Sequence, residues 1–313
     1  MMAAACEFGL EDVRTAFAGK TLSPMTFGFD LPQDYYQNVS GAQTLTVAES
    51  FENAFTLCAR AAENILRDRA GAAAQLDAIF VVTLPTEPTV APISSRLQAH
   101  VGAPASTFCM DLTLSCVGFL QAASTILDMM PARGWKKVLL LNVETLTKII
   151  RPEDQPLRLI MSDGATAALF TDQPRVVFDQ FEFFSDGSLA SILGTADGKM
   201  AMDGLRLYET VIRRIPNSFR QTIEKFGLQQ NAIDLFLFHQ GSRKVLDKLI
   251  ERLELEPRKV PQTIAQTGNL GSCSLPHLLD GILHDRPSET RQIFATAFGA
   301  GFQWAHASLQ QKG

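Results

Sequence analysis

The chain has 313 residues, 46% of them hydrophobic and 19% charged, with a formal net charge of −5. This suits a globular protein with a large core, in one large domain or two of about 150 residues, and the mild acidity argues against a broad nucleic-acid-binding surface. No apolar run reaches the roughly 18 residues of a membrane span, and the opening MMAAACEFGLEDVR lacks the basic region and long apolar core of a signal peptide, so a cytoplasmic protein is expected.

In chain order, the pattern predicts a helix over 50–69, a strand over 78–84 (AIFVVTL), a helix over 93–101 and a strand over 107–112 (TFCMDL). A helix over 118–130 and strands over 137–144 (KVLLLNVE), 165–171 and 176–184 follow. A long helix over 206–226 carries Pro216, which is expected to kink it. A strand over 234–239, a helix over 242–253 and a strand over 291–298 complete the series. Near-continuous apolar strands alternating with helices indicate an α/β fold with strands buried on both faces.

The order repeats. LDAIFVVTLPTEPTVAPISSRLQAHVG and IDLFLFHQGSRKVLDKLIERLEL both read strand, loop, helix, at an offset of about 157 positions, and GWKKVLLLNVE and ETRQIFATAFG stand about 155 apart. Between the members of each pair lies a small-residue turn entering a helix, LSCVGFLQAASTIL in one half and NLGSCSLPHLLDGIL in the other. A constant offset over three elements predicts two duplicated α/β halves, 1–173 and 174–313, with the boundary near 172–176.

The five cysteines are Cys6, Cys58, Cys109, Cys116 and Cys273. An odd number without a CxxC pair argues against a disulfide framework or a metal site, and the ordinary role of such thiols is that of small buried hydrophobes. Cys116 stands apart because it sits where the 107–112 strand hands over to a helix, in FCMDLTLSCVGFLQAAS. A helix N-terminus offers free N–H groups and partial positive charge, which lower a thiol pKa. A thiolate there can attack a thioester while nearby amides hold the oxyanion.

At these residues the sequence resembles the β-ketoacyl-acyl carrier protein synthase III family of the thiolase-like superfamily. DLTLSCVGFLQA resembles the nucleophile motif, LFLFHQGSRKVLDKL the histidine motif and TGNLGSCSLPHLL the asparagine motif. SDGATAALF resembles the family's Gly-Asp-Gly-Ala segment, with Ser162 in place of the first glycine. GKMAMDGLRLYETVIRRIP resembles its Met-x-Gly segment and FATAFGAGFQWAHASL its Gly-rich C-terminal turn. These motifs come in family order from about residue 78 to the C-terminus. Taken singly, each has a plainer reading: His239 as a satisfied core histidine, Asn269 as a turn former, the GAG at 299–301 as a tight turn. His100, His277, His284 and His306 have no motif context.

The resemblance implies a thiolase-like fold, two duplicated α/β halves in an α-β-α-β-α layering. It implies that Cys116 is acylated from a primer thioester. A malonyl-type thioester on acyl carrier protein then loses carbon dioxide, and His239 and Asn269 hydrogen-bond the resulting enolate, which attacks the acyl-cysteine. The resemblance also implies that the backbone N–H groups of Cys116 and Ala300 form the oxyanion hole. It implies no metal or redox cofactor, coenzyme A or carrier-protein pantetheine as substrate, and a homodimer in which a pocket-lining loop crosses to the partner; the TFCMDL strand could pair across the two-fold axis. Biosynthetic thiolases place a second cysteine at the Gly-rich turn, where AFGAG has none. Two alternatives stay open: acyl transfer to an alcohol or amine without decarboxylation, and a non-catalytic partner subunit, which would be expected to lose the cysteine or histidine.

The first 75 residues depart most from the family. Tyr35 or Tyr36, in DYYQNVSG, stands where the family has a tryptophan, and Gln155 stands where it has an arginine. Both positions serve the adenine end of coenzyme A in the family, which leaves the primer's carrier open between coenzyme A and carrier protein, and the pathway open between fatty-acid initiation and secondary metabolism. The loop TLPTEPTVAPIS is expected to border the acyl pocket, where the small Val90 and Ala91 suggest a longer or bulkier acyl group.

Overall fold

The structure, a computed structural model, describes residues 7–84, Thr86, 90–285 and 289–313. Cys6 lies outside the described residues, as do Pro85 and residues 87–89 of the loop expected at the acyl pocket.

The chain begins with β1 (Gly9–Phe17), the short strands β2 (Lys20–Leu22) and β3 (Leu45–Val47), α1 (Ala54–Leu66), β4 (Ala78–Val82), α2 (Ile93–Val101) and β5 (Phe108–Leu112). It continues through α3 (Gly118–Arg133), β6 (Lys137–Glu144), α4 (Gln155–Arg158) and β7 (Gly164–Thr171). Residues 172–175 lead into β8 (Val176–Ser185), the hairpin β9 (Leu193–Ala196) and β10 (Lys199–Met202), α5 (Gly204–Lys225), β11 (Leu235–Phe238) and α6 (Arg243–Arg252). The short α7 (Ile264–Thr267), α8 (Ser274–Asp285), β12 (Arg291–Gly299) and β13 (Gln303–Gln311) close the chain.

Nine strands form one sheet among the described residues, in the order β11-β12-β13-β8-β1-β7-β6-β4-β5. β4 lies parallel to β5 and β6, and β11 parallel to β12; the other pairings are antiparallel. The halves meet at β1 and β8 through one registered pair, Leu10 with Val176. That single bridge lets the two half-sheets face each other across a layer of helices.

Alternation along the strands builds the layers. Phe80, Val82, Val138 and Leu140 point inward and share a core with α3 and α8, together with Leu237, Ile293 and Ala295 of the other half. The intervening Ile79, Val81, Leu139, Leu141 and Val143 turn outward onto α1 and α2. In the second half, Phe236, Phe238, Phe294 and Phe298 turn outward onto α5 and α6. The result is α-β-α-β-α, the expected thiolase-like layering. Helix starts follow local chemistry: Asn53 and Thr56 form a reciprocal capping box on α1, and Asp203 accepts from the Arg206 N–H at the head of α5. α5 runs as one 22-residue helix through Pro216, so the proline does not divide it.

The apolar pattern misses β1 and β13 among the sheet's strands. GLEDVRTAF carries Glu11, Asp12 and Arg14, yet Asp12 is buried. Arg69, just beyond α1, reaches Asp12 at 2.6 Å and supplies the opposite charge. A paired buried charge is tolerated where a lone one is not, and the pairing exists only once α1 has packed on the sheet.

Candidate active site

The site lies at the carboxyl ends of the parallel strands, the usual place for ligands in open α/β sheets. Cys116 follows β5 and precedes α3, Glu144 ends β6, His239 follows β11, and Ala300 follows β12. These four and Asn269 line one cavity of about 790 Å³. The cavity is otherwise mostly apolar, with Leu146, Met161, Met200, Met202 and Val211 among its walls.

Asn269 is held by its backbone on both sides. Its N–H donates to the Ile160 carbonyl at 2.6 Å, and its carbonyl accepts from the Ser162 N–H at 2.9 Å. The preceding Gly268 has φ of 64°, and a Cβ there would meet Leu45, Ser162 and the Ile160 carbonyl, so both conformation and crowding require glycine. The Gly271 N–H donates to Asn269 Oδ1 at 2.9 Å, which orients the carboxamide. One hydrogen of Nδ2 serves a long 3.3 Å bond to the Gly241 carbonyl, leaving the second for a ligand.

His239 is anchored through its N–H to the Thr296 carbonyl at 2.9 Å, and its ring meets Phe298 edge-on at 5.3 Å. Burial lowers its pKa to about 4, so the imidazole is neutral at pH 7. A neutral imidazole and a carboxamide can both donate to a developing oxyanion without a charge to be neutralised.

Cys116 corrects the expectation of a lowered thiol pKa. The residue opens onto the cavity but is surrounded by protein. Burial, followed by the nearby Glu144 carboxylate, pushes its pKa up to about 12, against which its own backbone N–H works only weakly. α3 begins two residues beyond the thiol. Cys273, the other candidate nucleophile, is fully buried with Sγ 3.2 Å from the Asn142 carbonyl, and does not line the cavity.

Four residues singled out at the primer end do not line the cavity in this chain: Val90, Ala91, Tyr36 and Gln155. Val90 and Ala91 are exposed at the surface between β4 and α2. Tyr36 donates its hydroxyl to the Phe29 carbonyl at 3.0 Å, and its neighbour Tyr35 faces the cavity instead. Gln155 opens α4, whose Pro156 and Leu157 are the cavity-facing residues. Asp163, in the SDGA segment, accepts from the Ala48 N–H at 2.8 Å and the Thr147 N–H at 3.0 Å, tying three loops together behind the site. Glu144 was not singled out from sequence; its one signal is a carboxylate ending an otherwise apolar strand.

α5 and α6 border a second hollow beside the first, with Tyr208 shared by both. Arg213, Arg220, Lys248, Arg252 and the carboxylate of Glu209 line it, with Lys248 paired to Glu251 and Arg220 bonded to the Arg252 carbonyl, and Lys244 on α6 faces the main cavity.

Residues 110–187 match the family described as 3-oxoacyl-[acyl-carrier-protein] synthase III, and residues 223–311 match its C-terminal part; together they span just over half of the chain. A β-ketoacyl-[acyl-carrier-protein] synthase III from Streptococcus sanguinis is 29% identical over 274 residues, 82% of this chain and 84% of that protein. Among solved structures, the β-ketoacyl-[acyl carrier protein] synthase III of Thermus thermophilus matches with a TM-score of 0.88 at 26% identity, over 97% of this chain and 99% of that one. A 3-oxoacyl-(acyl-carrier protein) synthase from Burkholderia xenovorans matches with a TM-score of 0.89 at 25% identity, over 98% and 94% of the two chains.

Proposed function

Because the chain belongs to the 3-oxoacyl-[acyl-carrier-protein] synthase III family, we propose that it is a cytoplasmic, decarboxylating condensing enzyme that primes on Cys116. The observation that carries this reading is the convergence of one thiol and two uncharged donors, His239 and Asn269, on a single apolar cavity. Cys116 Sγ attacks the primer thioester carbonyl and forms acyl-Cys116 with release of a thiol. The malonyl-type thioester then enters the same cavity. Loss of carbon dioxide leaves an enolate whose oxygen accepts from His239 and from the spare Nδ2 hydrogen of Asn269. The enolate carbon attacks the acyl-cysteine. The oxyanion of that tetrahedral intermediate accepts from the N–H groups of Cys116 and Ala300, and collapse expels the Cys116 sulfur.

The basic hollow on α5 and α6 supports acyl carrier protein as the second substrate's carrier. It lies beside the cavity and suits the phosphate of a phosphopantetheine arm. A cavity of about 790 Å³ with methionine-rich walls supports a primer longer than acetyl.

The two alternatives differ in outcome. An acyltransferase to an alcohol or amine acylates Cys116 but releases no carbon dioxide. A non-catalytic partner subunit does neither. The deciding experiment incubates the protein with a panel of acyl thioesters, measures the mass gained on Cys116, then adds malonyl carrier protein and follows carbon dioxide and ketoacyl product. Acylation without any decarboxylation would overturn condensation in favour of transfer.

A further inference from the structure

Decarboxylation asks for two donors at one enolate oxygen, and these come from separate segments of the chain. His239 follows β11 and Asn269 follows α7. Their backbone anchors do not join them: His239 is tied to Thr296 on β12, and Asn269 to Ile160 and Ser162 before β7. Ile264 of α7 shares an apolar core with Phe238, which holds the segments together but fixes no direction. Donors to a transition state must keep their geometry to about half an ångström, so a directional link between the two segments is needed.

Gln240 supplies one. It is 1% exposed and does not line the cavity, so it is placed to act on other residues rather than on substrate. Its Nε2 donates to the Phe238 carbonyl at 2.8 Å, which locks the side chain onto the strand end that carries His239. Its Oε1 accepts from the Thr263 N–H at 2.9 Å. Thr263 is the N-cap of α7, and its own hydroxyl makes no capping bond. α7 is a single turn that leads straight into Gly268 and Asn269, with the Gly268 N–H closing on the Ile264 carbonyl at 3.0 Å. At the far end Asn269 Nδ2 donates to the Gly241 carbonyl at 3.3 Å. Among the described residues these are the two hydrogen bonds that join 238–242 to 263–269, and the one made by Gln240 is the shorter. The partners fix which way the carboxamide points, since a carbonyl requires its amino end and an N–H requires its oxygen. A glutamate in its place would lose the donor, a methionine both functions and an asparagine the reach.

Resting on the condensing reading, we infer that Gln240 is a positioning residue that sets the spacing of His239 and Asn269, and so serves decarboxylation rather than acylation. While Gln240 spans the strand end and the α7 turn, the two move as one body, and the imidazole and carboxamide N–H groups meet at one enolate oxygen. Without it, the long bond from Asn269 to Gly241 is left to span the segments alone, and it draws on the same amino group that serves the enolate. Acylation depends instead on Cys116 and on the N–H groups of Cys116 and Ala300, which neither bond of Gln240 reaches.

Gln240→Met keeps the bulk of the side chain and removes both bonds. Acyl-Cys116 formation, read by intact mass with whichever acyl thioester loads the wild type fastest, should stay within about threefold, while carbon dioxide release from saturating malonyl carrier protein should fall roughly 10- to 100-fold. Because the residue acts through Asn269, Gln240→Met combined with Asn269→Ala should release carbon dioxide within about twofold of Asn269→Ala alone. A residue that merely supports the fold would add its loss to the other. Unchanged decarboxylation in folded Gln240→Met, equal loss of both steps, or additive losses in the double variant each overturn the assignment. If Gln240→Met does not fold, Gln240→Asn decides: it keeps the amide but lacks the reach, and a folded Asn variant that decarboxylates at the wild-type rate is equally fatal. A wild type that loads Cys116 but never releases carbon dioxide sinks the condensing reading itself, whereas the outcomes named for the variants are read against an active wild type and sink the positioning role alone.

Discussion

Gly299 lies against Cys116 so closely that a Cβ on it would stand 3.0 Å from Cys116 Cβ and 3.2 Å from Sγ. Its φ of −178° is extended backbone open to any residue, so the requirement for glycine is steric. Gly299→Ala should displace the nucleophile by a few tenths of an ångström or more and slow Cys116 acylation roughly 10- to 100-fold, with little change in Tm. Unchanged acylation kinetics in a folded variant would show that the sulfur has room the structure does not give it.

Asn269→Ala removes one of two enolate donors and leaves the thiol in place. Loss of such a donor costs on the order of 100-fold or more in rate. Acylation of Cys116 should survive while decarboxylation of malonyl carrier protein collapses. Equal loss of both steps would mean that the residue serves the turn it occupies, through Gly271 and Ile160, rather than the enolate.

Two buried histidines give an acid limit to stability. Burial lowers His239 to about 4 and His306 to about 3, against 6.5 for a free imidazole. The unfolded chain therefore binds protons first as pH falls. Stability from these groups is complete above about pH 6.5 and is lost toward pH 4, at about 1.4 kcal/mol per pH unit for each. Glu144 acts with the opposite sign: raised to about 8 from 4.5 by burial, its contribution fades as pH rises across that interval. Comparing variants isolates the histidine part. His239→Gln should lose less Tm than the wild type between pH 7 and pH 5, and parallel losses would show that His239 is already protonated or solvated in the fold.

The primer's carrier can be read from relative rates. Tyr35 faces the cavity while Tyr36 and Gln155 do not, and the guanidinium of the neighbouring Arg158 already lies 4.0 Å above the Phe27 ring. With that cation engaged inside the chain, an aromatic–guanidinium grip on adenine, worth about 1–3 kcal/mol, loses its cationic half. One acyl group presented on coenzyme A, on carrier protein and on bare pantetheine should acylate Cys116 at rates within a factor of about 100 of each other. A larger advantage for coenzyme A would show that the nucleotide is recognised by other residues.

A dimer is expected from two exposed features. β5 is an outer strand of the sheet, with every residue half-buried, and so offers unpaired backbone to a second copy. Val90 is fully exposed between β4 and α2 and leaves an apolar side chain for a partner to cover. Light scattering at micromolar concentration should give twice the chain mass. A fully active monomer would remove the proposal.

Much of the fold could be read without coordinates because its strands are apolar on both faces. AIFVV and KVLLLNVE need no partner to be recognised, since every residue finds a hydrophobic layer above or below. β1 could not be found that way, because its carboxylates Glu11 and Asp12 are paired by Arg69, which follows α1 about 57 positions after Asp12 in the chain.

Cys116, His239 and Asn269 were legible as residue types in recurring local motifs, and the structure places them around one cavity. Chemical identity and short-range context are properties of the chain itself. The protonation each group prefers is not. Only the packed structure surrounds Cys116 with protein, buries Glu144 near it with one oxygen unpartnered among the described residues, turns Tyr35 inward rather than Tyr36, and leaves Val90 at the surface. Desolvation and neighbouring charge act through space, and residues from β5, β6, β11 and β12 become neighbours only when the strands align.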